Sequence, residues 1–204
     1  SVLSINDWWK AAQTDTRLYT QGLEDTLRGI NLEYFTRRKI SPIFQEVASV
    51  AILRKLLKKV DYASFDIHSN YNSLFSGYFI AKALKPFGIK TVYDIADDLP
   101  AMVRSSPQIP LPLRPVCGFP ADTMVRKNIS IADRITITTD PLRTSLNVPP
   151  AMSVVIPNGV DTDLFDNRPS PRLSKKLGLE QNFVLDYAGV LREWVDLEPV
   201  FAAV

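Results

Sequence analysis

Val154-Val155-Ile156-Pro157-Asn158-Gly159-Val160-Asp161-Thr162-Asp163-Leu164-Phe165 carries an apolar, β-branched run straight into Pro-Asn-Gly and then two closely spaced carboxylates. Val154 to Ile156 reads as a buried strand. Pro157 ends its hydrogen bonding, and Asn158-Gly159 is the pair that most readily takes positive φ, so a sharp turn is expected here. The segment is a joint between two parts of the chain.

Upstream of this joint, apolar periodicity alternates between 2 and 3.6. Residues 1–5 read as a short strand, residues 16–28 as a helix closed by Gly29, and residues 31–35 as the next strand. Ser41-Pro42 suits Ncap and N1 of a long helix reaching about residue 60, with Ile43, Val47, Val50, Leu53 and Leu57 on one face. Residues 65–67 follow as a strand, 73–84 as a helix ended near Pro86 and Gly88, and 89–95 as another strand. Short turns cannot join parallel strands, but the intervening helices can. An α/β fold follows, a Rossmann-like, doubly wound parallel sheet.

From Leu99 to Pro120 the chain is rich in proline and is expected to form a long irregular loop, either a functional lid or disordered. A helix over 122–131 and a strand over 135–138 come next. After the joint, 183–189 reads as a strand running into a glycine turn, and 194–204 begins a helix. The expected division is therefore 1–157 for the first domain and 158–204 for the joint and first βα unit of a second.

Composition narrows the function classes. The 204 residues carry 24 basic and 22 acidic side chains, a net charge of +2, too balanced for nonspecific nucleic-acid binding. A single Cys117 allows no intrachain disulfide and suits a reducing compartment. With one histidine, His68, a His/Cys metal cage is not expected. No apolar run reaches membrane-spanning length, and the first residues lack the pattern of a signal peptide.

The string VIPNGVDTDLF closely resembles the hinge of GT-B glycosyltransferases of the family 4 type, where IPNGVD-x-x-x-F leaves the N-terminal domain and enters the nucleotide-sugar domain. Two further strings resemble the same enzymes in order and spacing: MVRKNISIADRITITTDPLRTSLNV before the hinge and FVLDYAGVLREWVDLEPV after it. The resemblance covers the chain from about Asp66 onward. It implies an acceptor-binding N-terminal domain, a donor domain of which about 150 further residues are expected, and a chain inactive by itself. The implied reaction moves a sugar from a UDP- or GDP-linked donor to a hydroxyl of a glycan or lipid-linked acceptor. No cofactor or metal is implied, and the place of work is the cytoplasm or the inner face of the membrane. The alternative is a noncatalytic carbohydrate-binding or interaction domain derived from a GT-B half. A dinucleotide oxidoreductase is disfavoured, since no G-x-G-x-x-G follows a strand.

In open α/β sheets the site lies outside the carboxyl ends of the strands, and four loops should meet there. Trp8, Trp9 and Lys10 follow the first strand, the tryptophans either stacking on a sugar or lipid carrier or covering the core edge. His68 and Asn70 are placed in a loop after the strand at 65–67, as acceptor-binding groups or, for His68, a structural histidine. Asp97 and Asp98 are the catalytic candidates. The resemblance puts Ala96 where many retaining enzymes have histidine, while Tyr93-Asp94-Ile95-Ala96-Asp97-Asp98 is similar to a subgroup of bacterial cell-surface polysaccharide transferases. One of two adjacent carboxylates with a raised pKa would serve an inverting transferase as base. Each aspartate alternatively caps the following segment. Thr139 either touches the nucleotide or caps the helix after it. Arg104 and Arg114 in the lid either meet a phosphate or are simply solvated, and Gly189 and Arg192 are candidates for the donor diphosphate, Arg192 equally a solvated arginine. Pro157, Asn158, Gly159 and Asp161 form the hinge. Arg54, Lys55, Lys58 and Lys59 either complement a helix dipole or touch an anionic leaflet as a peripheral membrane contact.

Overall fold

The computed structural model describes residues 2–4, 26–27, 29–34, 46, 58, 64, 66–106, 109–160, 162–163, 175–187, 189 and 195–203. The chain divides into two compact units, Ser1–Pro157 and Asn158–Val204.

In the first unit, strands β1 (Val2–Ser4), β2 (Thr26–Leu27) and β3 (Ile30–Tyr34) form a small sheet in the order β1-β3-β2. β1 and β3 are parallel, with Val2 opposite Leu32. β2 is antiparallel to β3, Leu27 pairing with Ile30, which corrects the helix expected to run to residue 28. Its last turn is instead a hairpin, and Gly29 (φ 81°) supplies the left-handed residue that a tight connection needs. Helix-like periodicity before a glycine does not distinguish a C-cap from a hairpin. Most of the helix expected over 41–60 lies outside the described residues, although Glu46 is helical.

The main sheet is parallel throughout, with strands β4 (Ile67–Tyr71), β5 (Lys90–Ile95), β6 (Arg134–Ile137) and β7 (Ser153–Val155) in chain order. Helix α1 (Phe75–Leu84) joins β4 to β5, α2 (Leu99–Ser105) and α3 (Arg114–Ile131) join β5 to β6, and α4 (Asp140–Ser145) precedes β7. This is the expected Rossmann-like α/β sheet flanked by helices. Because the strands progress in one direction with right-handed crossovers, these helices fall on one face. There Tyr93, Ile95, Ile135 and Ile137 pack with Val125, Ala132 and Val148 in the core, flanked by Leu142, Leu146 and Val155. On the other face Ile67, Tyr71 and Val154 remain exposed.

Two elements differ from their expected places. β4 runs to Tyr71, not Ile67, because its ladder with β5 continues from Ile67–Lys90 to Tyr71–Asp94. The proline-rich stretch is largely helical: α2, a 3-10 turn at Leu111–Leu113, and the first turns of α3. Pro100 and Pro115 sit in the first turns of α2 and α3, where a missing N–H leaves no helical bond unmade. Pro120 lies inside α3 and removes one bond to the preceding turn.

In the second unit, residues 175–177 and α5 (Glu198–Ala202) are helical. The strand expected at 183–187 is not formed; the backbone there lacks ladder pairing, and Phe183, Val184, Leu185 and Tyr187 are exposed. A strand that is apolar on both sides needs neighbours on both edges.

Candidate functional site

Three junctions converge at the carboxyl end of the main sheet: Asn72–Leu74 after β4, Ala96–Asp98 after β5, and Thr138–Thr139 after β6. Asn72 continues the ladder by one bond, its N–H donating to the Asp94 carbonyl at 2.8 Å, and then turns left-handed at φ 43°. Asparagine tolerates that conformation better than most residues. The turn aims the Asn72 side chain at the β5 exit. Its Nδ2 donates to Asp97 Oδ2 at 3.0 Å, and its Oδ1 accepts the Asp97 N–H at 3.3 Å. Asp97 is thus held by a reciprocal pair and is exposed to solvent.

Asp98 is engaged differently. Its Oδ1 accepts the Ala101 N–H at 2.9 Å, making it the N-cap of α2, and its Oδ2 accepts the Ser145 hydroxyl at 3.2 Å. The capping alternative holds for Asp98, and Ser145 ties α2 to α4. The two carboxylates face different partners. Beside them the Thr138 hydroxyl donates to the Ala96 carbonyl at 2.9 Å, and the Thr136 hydroxyl to Asp94 Oδ1 at 2.7 Å.

Beneath this rim lies a buried polar network. Asn70 Nδ2 donates to Asn128 Oδ1 at 2.9 Å, while Ser73 Oγ donates to Asn70 Oδ1 at 2.5 Å. Asn128 Nδ2 reaches the Leu74 and Met124 carbonyls at 2.8 and 2.9 Å. Glu46 accepts the Leu74 and Ser76 N–H groups and the Ser76 hydroxyl, so a carboxylate satisfies the amino end of α1. Burial, and secondarily the Glu46 charge, raises the Tyr93 hydroxyl pKa far above its ordinary value. The network fixes the β4–α1 junction from which Asn72 projects.

Several expected site residues have other placements. Asn70 points into this network and is buried, because β4 extends through it and its side chain shares the core face with Tyr93. His68 is likewise within β4, opposite Thr91. Its Nε2 is buried without a hydrogen-bond partner, and burial lowers its pKa. Arg104, expected in a phosphate-seeking lid, is paired with Asp122 of α3, since α2 is a helix packed on α3. Arg114 Nε donates to the Ile109 carbonyl at 3.0 Å. Thr139 stands at the N-cap of α4 with no side-chain capping bond, so the cap expected of its hydroxyl is not made.

Pro157, Asn158 and Gly159 are exposed and outside regular structure, and neither Asn158 nor Gly159 takes positive φ, which corrects the sharp turn expected there. Gly189, in the second unit, is exposed. Trp8, Trp9, Lys10, Asp161 and Arg192 lie outside the described residues, as do Arg54, Lys55 and Lys59 of the basic cluster; Lys58 is exposed. The residues that sequence reasoning missed are Asn72, Ser145, Asn128 and Glu46. Asn72 carried a signal, an asparagine next to a serine just past a strand. The other three are brought in by tertiary contact alone.

Among the described residues no group of three or more His, Cys, Asp or Glu side chains is placed to hold a metal, and no helix is long and apolar enough to cross a membrane. An open apolar depression of about 730 Å³ lies in the second unit, lined by Phe183, Leu185, Pro199, Val200 and Ala203. Its lining side chains among the described residues are all apolar. No protein-family model matches this chain, and no curated protein matches it.

Proposed function

We propose that this chain is the acceptor-binding part of a glycosyltransferase that moves a sugar from a UDP- or GDP-linked donor to a hydroxyl of a glycan or lipid-linked acceptor. The observation that carries the reading is the string VIPNGVDTDLF, which continues directly from β7, the last strand of the main sheet. Further support comes from Asp97, an exposed carboxylate at the exit of β5 whose orientation Asn72 fixes. A carboxylate held in this way can take the proton of an acceptor hydroxyl as that oxygen attacks the sugar carbon. Under this reading Asp97 is the base, and Asp98 positions α2 beside it. Serine and threonine hydroxyls at the rim are suited to sugar hydroxyls, and the work takes place on the cytoplasmic side of a membrane.

A second reading, a noncatalytic carbohydrate-binding domain, is favoured by one observation: both oxygens of Asp98 are committed to protein partners, leaving a single available carboxylate. Nucleotide release from UDP- and GDP-sugars by this chain joined to a complete donor domain, measured alongside calorimetric titration of oligosaccharide and lipid-linked acceptors, separates the two. The transferase reading expects acceptor-dependent release that Asp97→Asn abolishes while leaving acceptor affinity within about twofold. Acceptor binding with no release from any donor supports the binding domain. If no acceptor binds and no donor is turned over, both readings fail.

A further inference from the structure

The 3-10 turn and the amino end of α3 expose apolar side chains that the fold does not use. Leu111 is 72% exposed, Leu113 50%, Val116 67% and Phe119 68%. The buried residues of α3 are Gly118, Ala121, Met124, Val125 and Asn128, Gly118 lying against Arg104 of α2. At 100° per residue, Val116, Phe119, Thr123, Arg126 and Lys127 fall on the opposite, outward stripe. That stripe is graded along the axis, apolar in its first two turns and basic further on. Phe119 and Val116 precede Arg126 and Lys127 by a rise of roughly 10–15 Å.

Charge on this region is one-sided. From Leu99 to Ile131 the only acid is Asp122, which Arg104 already engages. Among the described residues neither Arg126 nor Lys127 has an acidic partner, and Lys127 Nζ is held 5.5 Å from the centre of the Tyr78 ring. Because α3 returns the chain from the end of β5 to the start of β6, its amino end is at the carboxyl end of the sheet, the end that carries Asp97.

We propose that this tip is a membrane-docking surface, in which Leu111, Leu113, Val116 and Phe119 enter the interfacial region of an anionic leaflet and Arg126 and Lys127 lie among or just above its phosphates. A convex apolar tip inserts shallowly, by about 5–10 Å. Basic side chains set back by the rise given above then remain within about one Debye length of the headgroups. A protein partner fits less well, because the apolar side chains project from a turn and a helix end, and the cations behind them on the same stripe have no acidic partner among the described residues. The inference stands apart from the transferase reading and needs no sugar. Were both correct, the carboxyl rim of the sheet would face the leaflet that carries a lipid-linked acceptor.

The test is sedimentation of the protein with vesicles of phosphatidylcholine plus phosphatidylglycerol and with vesicles of phosphatidylcholine alone. An environment-sensitive dye on Phe119→Cys, in a Cys117→Ser background, reports insertion, and the same dye on Lys85→Cys at the opposite end of the sheet is the control. Expected are binding to the anionic vesicles, a blue shift at position 119 only, and a loss on the order of tenfold or more with the Val116→Asp/Phe119→Asp variant. Arg126→Glu/Lys127→Glu weakens binding and its salt dependence together. These side chains are exposed, so unchanged circular dichroism and melting verify that the variants fold. Absence of binding to anionic vesicles overturns the proposal, as does binding unaltered by Val116→Asp/Phe119→Asp. Concentration-dependent self-association abolished by the same variant would also overturn it, assigning the tip to a second copy of the chain.

Discussion

Gly77→Ala should destabilise the protein, although helix propensity alone predicts the reverse. Gly77 is interior to α1 and buried, and alanine in a helix interior is favoured over glycine by about 1 kcal/mol. A Cβ built there would lie 1.9 Å from Asn70 Nδ2 and 2.2 Å from both Asn70 Cγ and Oδ1. The Asn70 side chain must therefore leave its position. Doing so breaks its bond to Asn128 Oδ1, which is buried, and the one it receives from Ser73, which is partly buried. Buried polar groups left without partners cost about 1–3 kcal/mol each, so two lost bonds amount to about 2–6 kcal/mol. After the propensity gain, a net loss of about 3 kcal/mol is expected, a large fraction of a typical domain's ~5–15 kcal/mol. In an Asn70→Ala background the obstruction is gone and only propensity remains, so Gly77→Ala should there be neutral or stabilising by up to about 1 kcal/mol. Urea unfolding followed by far-ultraviolet circular dichroism on the four proteins of this cycle measures the coupling directly. A Gly77→Ala protein as stable as the parent, or an equal effect in both backgrounds, would refute the reasoning.

Other consequences come from single groups. His68 has a folded pKa below its unfolded value of about 6.5 because it is buried, so the unfolded state binds the extra proton; stability should be fully present above about pH 6.5 and decline as pH falls towards the folded pKa. His68→Gln should flatten that slope in urea midpoints measured across this window. Asp133 accepts the Thr91 N–H at 2.9 Å and lies 3.6 Å from Lys90 Nζ; these contacts, the backbone bond foremost, lower its pKa. Its stabilisation is present above the ordinary carboxylate pKa and disappears as pH falls through the lower folded one, and Asp133→Asn should remove that part of the acid transition. Asp98→Ala should cost about 1 kcal/mol through loss of the α2 cap, seen as faster amide exchange at Ala101 and Met102, whereas Asp98→Asn, which keeps a capping oxygen, should lose less.

How much of the fold is legible in sequence varies by element for definable reasons. The helix over 73–84 and the strands around 90–95 and 134–137 can be read because local signals agree with their tertiary setting. Gly88, for example, is left-handed at φ 77° where the helical stretch must end. The stretch 99–120 misleads because proline density suggests irregularity, whereas Pro100 and Pro115 occupy first turns, where proline is compatible with a helix. The end of β4 misleads for the opposite reason. Histidine, serine and asparagine at 68–70 look like a loop, but the ladder to β5 carries the backbone through them, and Asn128 and Ser73 supply partners for the buried Asn70 amide. Composition cannot reveal a partner 58 positions away.

The same distinction separates the two candidate carboxylates. As neighbours in sequence, Asp97 and Asp98 are equivalent choices, and pairing them suggests mutual repulsion as the source of a shifted pKa. In the fold, adjacent positions at a strand exit point to different sides, and their partners differ accordingly. Asp98 faces forward along the chain to the amino end of α2, where a carboxylate satisfies an N–H that the helix leaves unpaired. Asp97 faces sideways to the next strand's exit, where Asn72 can hold it only because that residue is left-handed. A base must keep an oxygen accessible while its orientation is fixed, and Asp97 meets both requirements. The conformation of Asn72 therefore becomes the sensitive point. Asn72→Ala removes both side-chain bonds and disfavours positive φ, so it should impair an Asp97-dependent reaction. Asn72→Gly keeps the backbone turn but not the bonds, and the difference between the two variants measures how much of the site depends on the turn itself.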